Sequence, residues 1–166
     1  MEALAAVAAA KPFAGIGRHV SHSQVNLFDR CTLAWYLKYV RGIEKPPTVH
    51  MLLGQCYHSA LALNFRQKTM TGEDLVVDDV LSHLSRMFED AVAQGHVDIA
   101  PGVDPHSYRG PVAAVLSHYY SEYVVGRMEP ILVEHEMVCS IPGTDRVFAG
   151  IMDVQLSDGV MIDFKV

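Results

Sequence analysis

Apolar and polar positions follow two different periods along the 166-residue chain, and the period changes near Pro130. Up to that point the spacing is helical. Ser21 or Ser23 can cap a first helix running to about Tyr39. Val25, Phe28, Ala34, Trp35 and Leu37 supply much of its apolar content, and Gly42 is its stop. Pro46-Pro47 predicts a loop. A second helix over 50–67 sets Leu53, Tyr57, Ala60, Leu61 and Phe65 on one face. After Thr71-Gly72, Val77, Val80, Leu81, Leu84, Met87, Phe88 and Ala91 mark a third helix. Residues 95–105 predict a loop. Pro111 then stands near the start of a fourth helix reaching about Gly126, with Val115, Leu116, Tyr119 and Tyr123 as its inner face.

Beyond Pro130 the pattern becomes β-like. ILVEHEMVCSI alternates in part, Pro142-Gly143-Thr144-Asp145 is a turn, and RVFAGIMDVQL is a second strand. Ser157-Asp158-Gly159 is a tight turn before a third strand, VMIDFKV. Helices followed by a three-stranded antiparallel meander are an α+β pattern. A meander that stops in its last strand buries little, which predicts that a C-terminal portion of the fold is missing. Residues 1–20 are expected to be a flexible leader. The apolar MEALAAVAAA carries Glu2 and lacks the basic flank of a signal peptide, and Pro12, Gly15 and Gly17 are breakers just after it.

Composition narrows the class. Half the residues are apolar and 19% charged, which fits a soluble globular chain and excludes disorder or low complexity for the whole. No apolar run reaches the roughly 18 residues of a membrane span, so no membrane partner is expected. Cys31, Cys56 and Cys139 form no CxxC pair and no even set, as for reduced thiols in a cytoplasmic protein. The net charge of −6 hides a split of +5 over residues 1–70 and −11 over 71–166. Such a split suits a site that binds both phosphate and a divalent cation, or it is uneven charge on a solvated surface.

Asp153 interrupts an apolar strand, and Asp163 and Lys165 stand two apart in another, so the last two share a face. Carboxylates converging from neighbouring strands suit Mg²⁺ or Mn²⁺, and an adjacent lysine can orient or help deprotonate an attacking water. The alternative is a surface Asp–Lys pair. His58, one turn after Gly54 on the second helix, can ligate a cation or be an ordinary helix histidine. Glu134 and Glu136 share a strand face, and either one of them adds a carboxylate to a cation shell or both face water.

Taken in order, these residues resemble the RecB-type, CRISPR-associated-exonuclease-like branch of the PD-(D/E)XK nuclease superfamily. The stretch from Ser21 to Val40, with Ser21-His22-Ser23 and Cys31, is similar to the opening helix of those domains. Gly54 and His58 match their G-x-x-x-H, Gly150 and Asp153 their G-x-x-D, and Asp163-Phe164-Lys165 their D-[aromatic]-K. The resemblance implies a restriction-endonuclease-like α+β core over 21–166 and metal-dependent exonucleolytic hydrolysis of DNA in repair or recombination. It implies His58, Asp153, Asp163 and the Phe164 carbonyl as Mg²⁺ or Mn²⁺ ligands, Glu134 as a further one, and Asp153, Asp163 and Lys165 as catalytic. His58, Asp153 and Asp163 should then lie within a few ångströms of one another.

Arg30, Lys38, Arg41 and Lys45, with Arg66 and Lys68, would hold the DNA backbone without sequence preference. Trp35, Tyr36 and Tyr39 would either stack on bases or pack in the core. A helicase or recombination complex is the kind of partner implied, in the cytoplasm of a bacterial or phage-infected cell. The chain departs from the family at Thr32, where proline is usual, and in having no Gln-x-x-x-Tyr segment after Val166. Some relatives hold a 4Fe–4S cluster with one early cysteine and a C-terminal trio. Cys31 would serve only with a trio outside this chain, so no cluster is expected, and Cys56 and Cys139 are expected to be packed small residues. The competing reading is a truncated or inactive nuclease fold that binds DNA or a protein partner.

Overall fold

The computed structural model describes residues 19–165. The described residues divide into two compact units, 19–44 with Glu136–Gly150 and Lys45–His135 with 151–165. The leader expected over residues 1–20 lies, up to residue 18, outside the described residues. Its last two residues, His19–Val20, form a short strand, β1.

In the first unit, Ser21 caps α1 (His22–Arg30) by accepting the Gln24 N–H. The single long helix expected here is interrupted. Cys31 is extended, its Sγ accepts the Ala34 N–H, and α2 (Thr32–Trp35) restarts and passes into a π-helical turn over Tyr36–Val40. Val25, Phe28 and Leu37 of the expected apolar set are exposed, Ala34 and Trp35 are half-buried, and Gln24 is buried. Phe28 meets Trp35 edge-on at 5.2 Å, and Trp35 lies 6.4 Å from Tyr39.

The second unit holds the core. Thr48 caps α3 (Val49–Thr71), and Gly72, at φ 80°, ends it in the left-handed conformation that a residue without Cβ adopts at least cost. Leu53, Tyr57, Ala60, Leu61 and Phe65 are buried, as their helical spacing predicts. α4 (Val77–Ala93) opens on Asp78 and Asp79, which complement the helix dipole, and buries Val80, Leu84 and Phe88. A 3₁₀ turn (Pro105–Tyr108) leads into α5 (Arg109–Tyr119) and a second π-helical turn, Tyr120–Val124. α3, α4 and α5 pack on one another. The inner face at the end of α5 is Leu116, Tyr120 and Val124, while Val115 and Tyr123 are exposed.

The sheet contains β1, β2 (Pro130–Ser140), β3 (Val147–Leu156) and β4 (Met161–Ile162), with β3 hydrogen-bonded to the other three. β1 runs parallel to β3 through His19–Val147 and Val20–Phe148. β4 runs antiparallel to it through Val154–Ile162 and Gln155–Met161. This is the α+β architecture expected, with the third strand cut to two residues. Among the described residues, no helix is long and apolar enough to cross a membrane.

A buried polar cluster ties the helices of the second unit together. The Asp74 carboxylate accepts from Asn64 Nδ2, Lys68 Nζ and the Gly126 N–H, each at 2.9 Å. Asn64 Oδ1 accepts from the Leu75 N–H and from the Tyr120 hydroxyl, both at 2.7 Å. Burial opposes ionisation of Asp74 most strongly. The hydrogen bonds from Asn64, Gly126 and Lys68 and the lysine charge together outweigh it, so the carboxyl titrates below its ordinary 3.8.

Candidate functional site

His58, Asp153, Asp163, Phe164 and Lys165 all belong to the second unit. α3 carries His58 at its middle, and β3 carries Asp153 between the buried Met152 and Val154. His58 Nδ1 lies 3.4 Å from Asp153 Oδ2, and the same oxygen accepts the Phe164 N–H at 2.7 Å. Asp153 therefore joins the helix to the D-F-K segment.

That segment comes after β4 without strand pairing of its own. Phe164 holds it in place. Its ring is buried, stacks on Phe65 at 6.0 Å with a 10° interplanar angle, and meets Tyr119 and His58 edge-on at 6.0 and 6.1 Å. With Phe164 turned inward, Asp163 and Lys165 are left outside, as strand-like alternation requires. Lys165 Nζ lies 2.9 Å from Asp163 Oδ1 and 2.7 Å from Oδ2. The hydrogen bond from Lys165 is the main cause that lowers the Asp163 pKa, with further contributions from Asp153 and His58. The same bond raises that of Lys165, which favours an ammonium that donates over an amine that takes a proton. Burial pushes the neighbouring Tyr57 hydroxyl up to about 12, with Tyr119 adding to the shift.

His58 and Asp153 lie together, and Asp163, paired with Lys165, is close enough to Asp153 and His58 for both to lower its pKa. Among the described residues, no three His, Cys, Asp or Glu side chains form a cation cage. The donor chemistry nonetheless fits a hard divalent ion, since one imidazole and two carboxylates suit Mg²⁺ or Mn²⁺ in type and in charge. Gly54 adds nothing by close packing, because a Cβ there would meet open space.

Other expected residues fall elsewhere. The Glu134 carboxylate pairs with Arg66 of α3. Lys68 is a core residue bound to Asp74, with Glu129 at 3.5 Å, and is not part of a basic surface. Lys45 is exposed in the second unit. Arg30, Lys38 and Arg41 are exposed in the first, where Arg30 and Lys38 line an open groove of about 650 Å³ with Ser23, Asn26, Asp29 and Tyr39. Cys56 is buried as expected, whereas Cys139 and Cys31 are exposed. The supporting roles of Phe65 and Tyr119 have no sequence signal beyond two apolar positions at helical spacing.

The family model of the PD-(D/E)XK nuclease superfamily matches residues 19–166. No curated protein and no solved structure matches the chain. The chain belongs to the PD-(D/E)XK nuclease superfamily.

Proposed function

Starting from that superfamily membership, we propose that the chain is a RecB-like, Mg²⁺- or Mn²⁺-dependent exonuclease that hydrolyses DNA in repair or recombination. The observation that carries this is the joining of His58, Asp153 and the D-F-K segment through one carboxylate oxygen, 3.4 Å from the imidazole and 2.7 Å from the Phe164 N–H. His58, Asp153, Asp163 and the Phe164 carbonyl are the proposed ligands. Glu134 is left out because Arg66 engages it. Bound there, a divalent cation would supply Lewis acidity toward the scissile phosphate.

The chain's own residues do the rest. Asp153, fixed from two sides, holds the His58 ring in one orientation. The Lys165 ammonium donates to the attacking water or to a phosphate oxygen and offsets charge as it builds on phosphorus. The water oxygen forms the new P–O bond and gives up a proton to solvent, the bond to the leaving oxygen breaks, and that oxygen takes a proton from solvent. Arg30, Lys38, Arg41 and Lys45 are proposed to hold the backbone without reading sequence. A helicase or recombination complex remains the proposed partner.

Cleavage of labelled linear and circular DNA with and without Mg²⁺ or Mn²⁺ tests the proposal. Wild type should degrade linear DNA and spare circles, and Lys165→Ala or Asp153→Asn should lower the rate by about 10²-fold or more. Undiminished activity in both variants sinks the site assignment. A second reading, a DNA-binding fold without catalysis, draws on the Asp163–Lys165 pairing, which occupies the carboxylate that a cation needs. DNA binding with no metal-dependent cleavage by the wild type would favour it.

A further inference from the structure

Arg66 and Glu134 form an exposed ion pair at a strained point of the backbone. Glu134 has φ 45° and is the one residue other than glycine with positive φ among the described residues. A residue with a Cβ avoids this region, and such outliers persist where the surroundings impose them. The contact that goes with it is an exposed ion pair, 55% open at Arg66 and 37% at Glu134, of a kind that adds little to stability. The strained residue lies inside β2, and the side chain it presents makes this exposed pair.

Its position is functional. Arg66 comes directly after Phe65, whose ring stacks on Phe164 of the D-F-K segment. It stands on the same helix as His58, about 12 Å further along the axis at 1.5 Å per residue, which is the axial rise of roughly three to four nucleotides of a B-DNA strand. A guanidinium fork recognises phosphate and carboxylate through the same bidentate geometry, so a phosphate can take the place that Glu134 holds at Arg66.

We propose that Arg66 is a backbone-phosphate-binding residue for a DNA strand leaving the site, and that Glu134 is its internal competitor, displaced when the strand binds. The proposal rests on the nuclease reading above. It makes Glu134 a brake on substrate affinity.

The test is binding of a fluorescent single-stranded oligonucleotide across a salt series in EDTA, where no cleavage intervenes. Wild type, Arg66→Ala, Glu134→Gln, Glu134→Gly and the Arg66→Ala/Glu134→Gln double variant are compared, each shown to be folded by circular dichroism. Glu134→Gly keeps the test alive if the amide variant fails to fold, since glycine accepts the backbone conformation. Removing the competitor should tighten binding by about two- to fivefold. Arg66→Ala should weaken it and lower the salt slope by about 0.7. The gain from Glu134→Gln should vanish in the double variant. A gain that survives without Arg66 would reduce Glu134 to simple charge repulsion and overturn the proposal. Unchanged or weaker DNA binding in the Glu134 variants overturns it and leaves the nuclease reading standing. Absence of DNA binding by every folded protein overturns both.

Discussion

Replacing Asp74 by alanine should cost the second unit about 3 kcal/mol. The carboxylate satisfies Asn64 Nδ2, Lys68 Nζ and the Gly126 N–H at once, each at 2.9 Å. Its loss leaves Lys68, with a side chain only 4% exposed, facing Glu129 at 3.5 Å as its one remaining anion. Removing one partner of a buried ion pair costs about 3–5 kcal/mol, and the residual contact to Glu129 places the expectation at the lower end. With an m-value of about 2 kcal/mol/M, the urea midpoint should fall by about 1.5 M. Far-UV circular dichroism is the right probe, because α3, α4 and α5 lie in this unit while the single tryptophan, Trp35, lies in the other. The apolar double replacement Lys68→Met/Asp74→Leu should recover more than half of the loss. A shift of less than about 0.5 kcal/mol in Asp74→Ala, or a double variant as unstable as the single one, would refute the reasoning. The pH dependence has a fixed sign. Asp74 titrates lower when folded than when unfolded, so its stabilisation is full above the ordinary value of 3.8 and is lost as pH falls through the depressed folded value. Asp74→Asn should lack that part of the acid transition.

The same geometry sets other outcomes. Phe164→Ala should destabilise by about 3–5 kcal/mol in urea melts and abolish cleavage, whereas Phe164→Leu keeps enough apolar volume to retain most of both. Tyr120→Phe removes the hydroxyl shared between Asn64 Oδ1 and the Leu75 carbonyl, and should cost about 1–2 kcal/mol by the same assay. Ser21→Ala removes the cap of α1 and should cost about 1 kcal/mol, read by Trp35 fluorescence. EDTA should stop nuclease activity and added Mn²⁺ should restore it; cleavage that persists in chelator would exclude the proposed chemistry.

Periodicity made α4 legible because it presents one apolar stripe against a polar remainder, and α3 because Leu53, Tyr57, Ala60, Leu61 and Phe65 recur at helical spacing, although its buried face also takes in Asn64 and Lys68. On α5 it placed Leu116 and Tyr119 rightly but took Val115 and Tyr123 for Tyr120 and Val124. Val112 to Val125 is rich in apolar residues all round, and what selects Tyr120 over Tyr119 and Tyr123 is a hydroxyl that finds Asn64 and Leu75. The break at Cys31 has no hydrophobic signature, since it depends on one extended residue whose sulfur caps the next turn. β1 is two residues long, too short for alternation to register, whereas β4 keeps two residues of the VMIDFKV strand read from the pattern. In the site, Asp153, Asp163, Lys165 and His58 stood out as polar groups in apolar surroundings or at motif spacing. The engagement of Glu134 by Arg66 did not, because a salt bridge spanning 68 positions leaves no local trace. Lys68 was misplaced for the same reason: only the fold shows that a lysine beside Arg66 turns inward to Asp74.

The mounting of Phe164 has a kinetic consequence. A reactive segment hung on a sheet edge can fray on its own, but here the ring is lodged between α3 and α5 and the amide is tied to a carboxylate of β3. Releasing Asp163 and Lys165 from their place therefore requires disturbing the helical core, so local opening merges with the rarer opening of the whole unit. Solvent-facing though its neighbours are, the Phe164 amide should exchange its hydrogen about as slowly as the amides at the centre of α3. Heat inactivation and unfolding of the second unit should then proceed as one event.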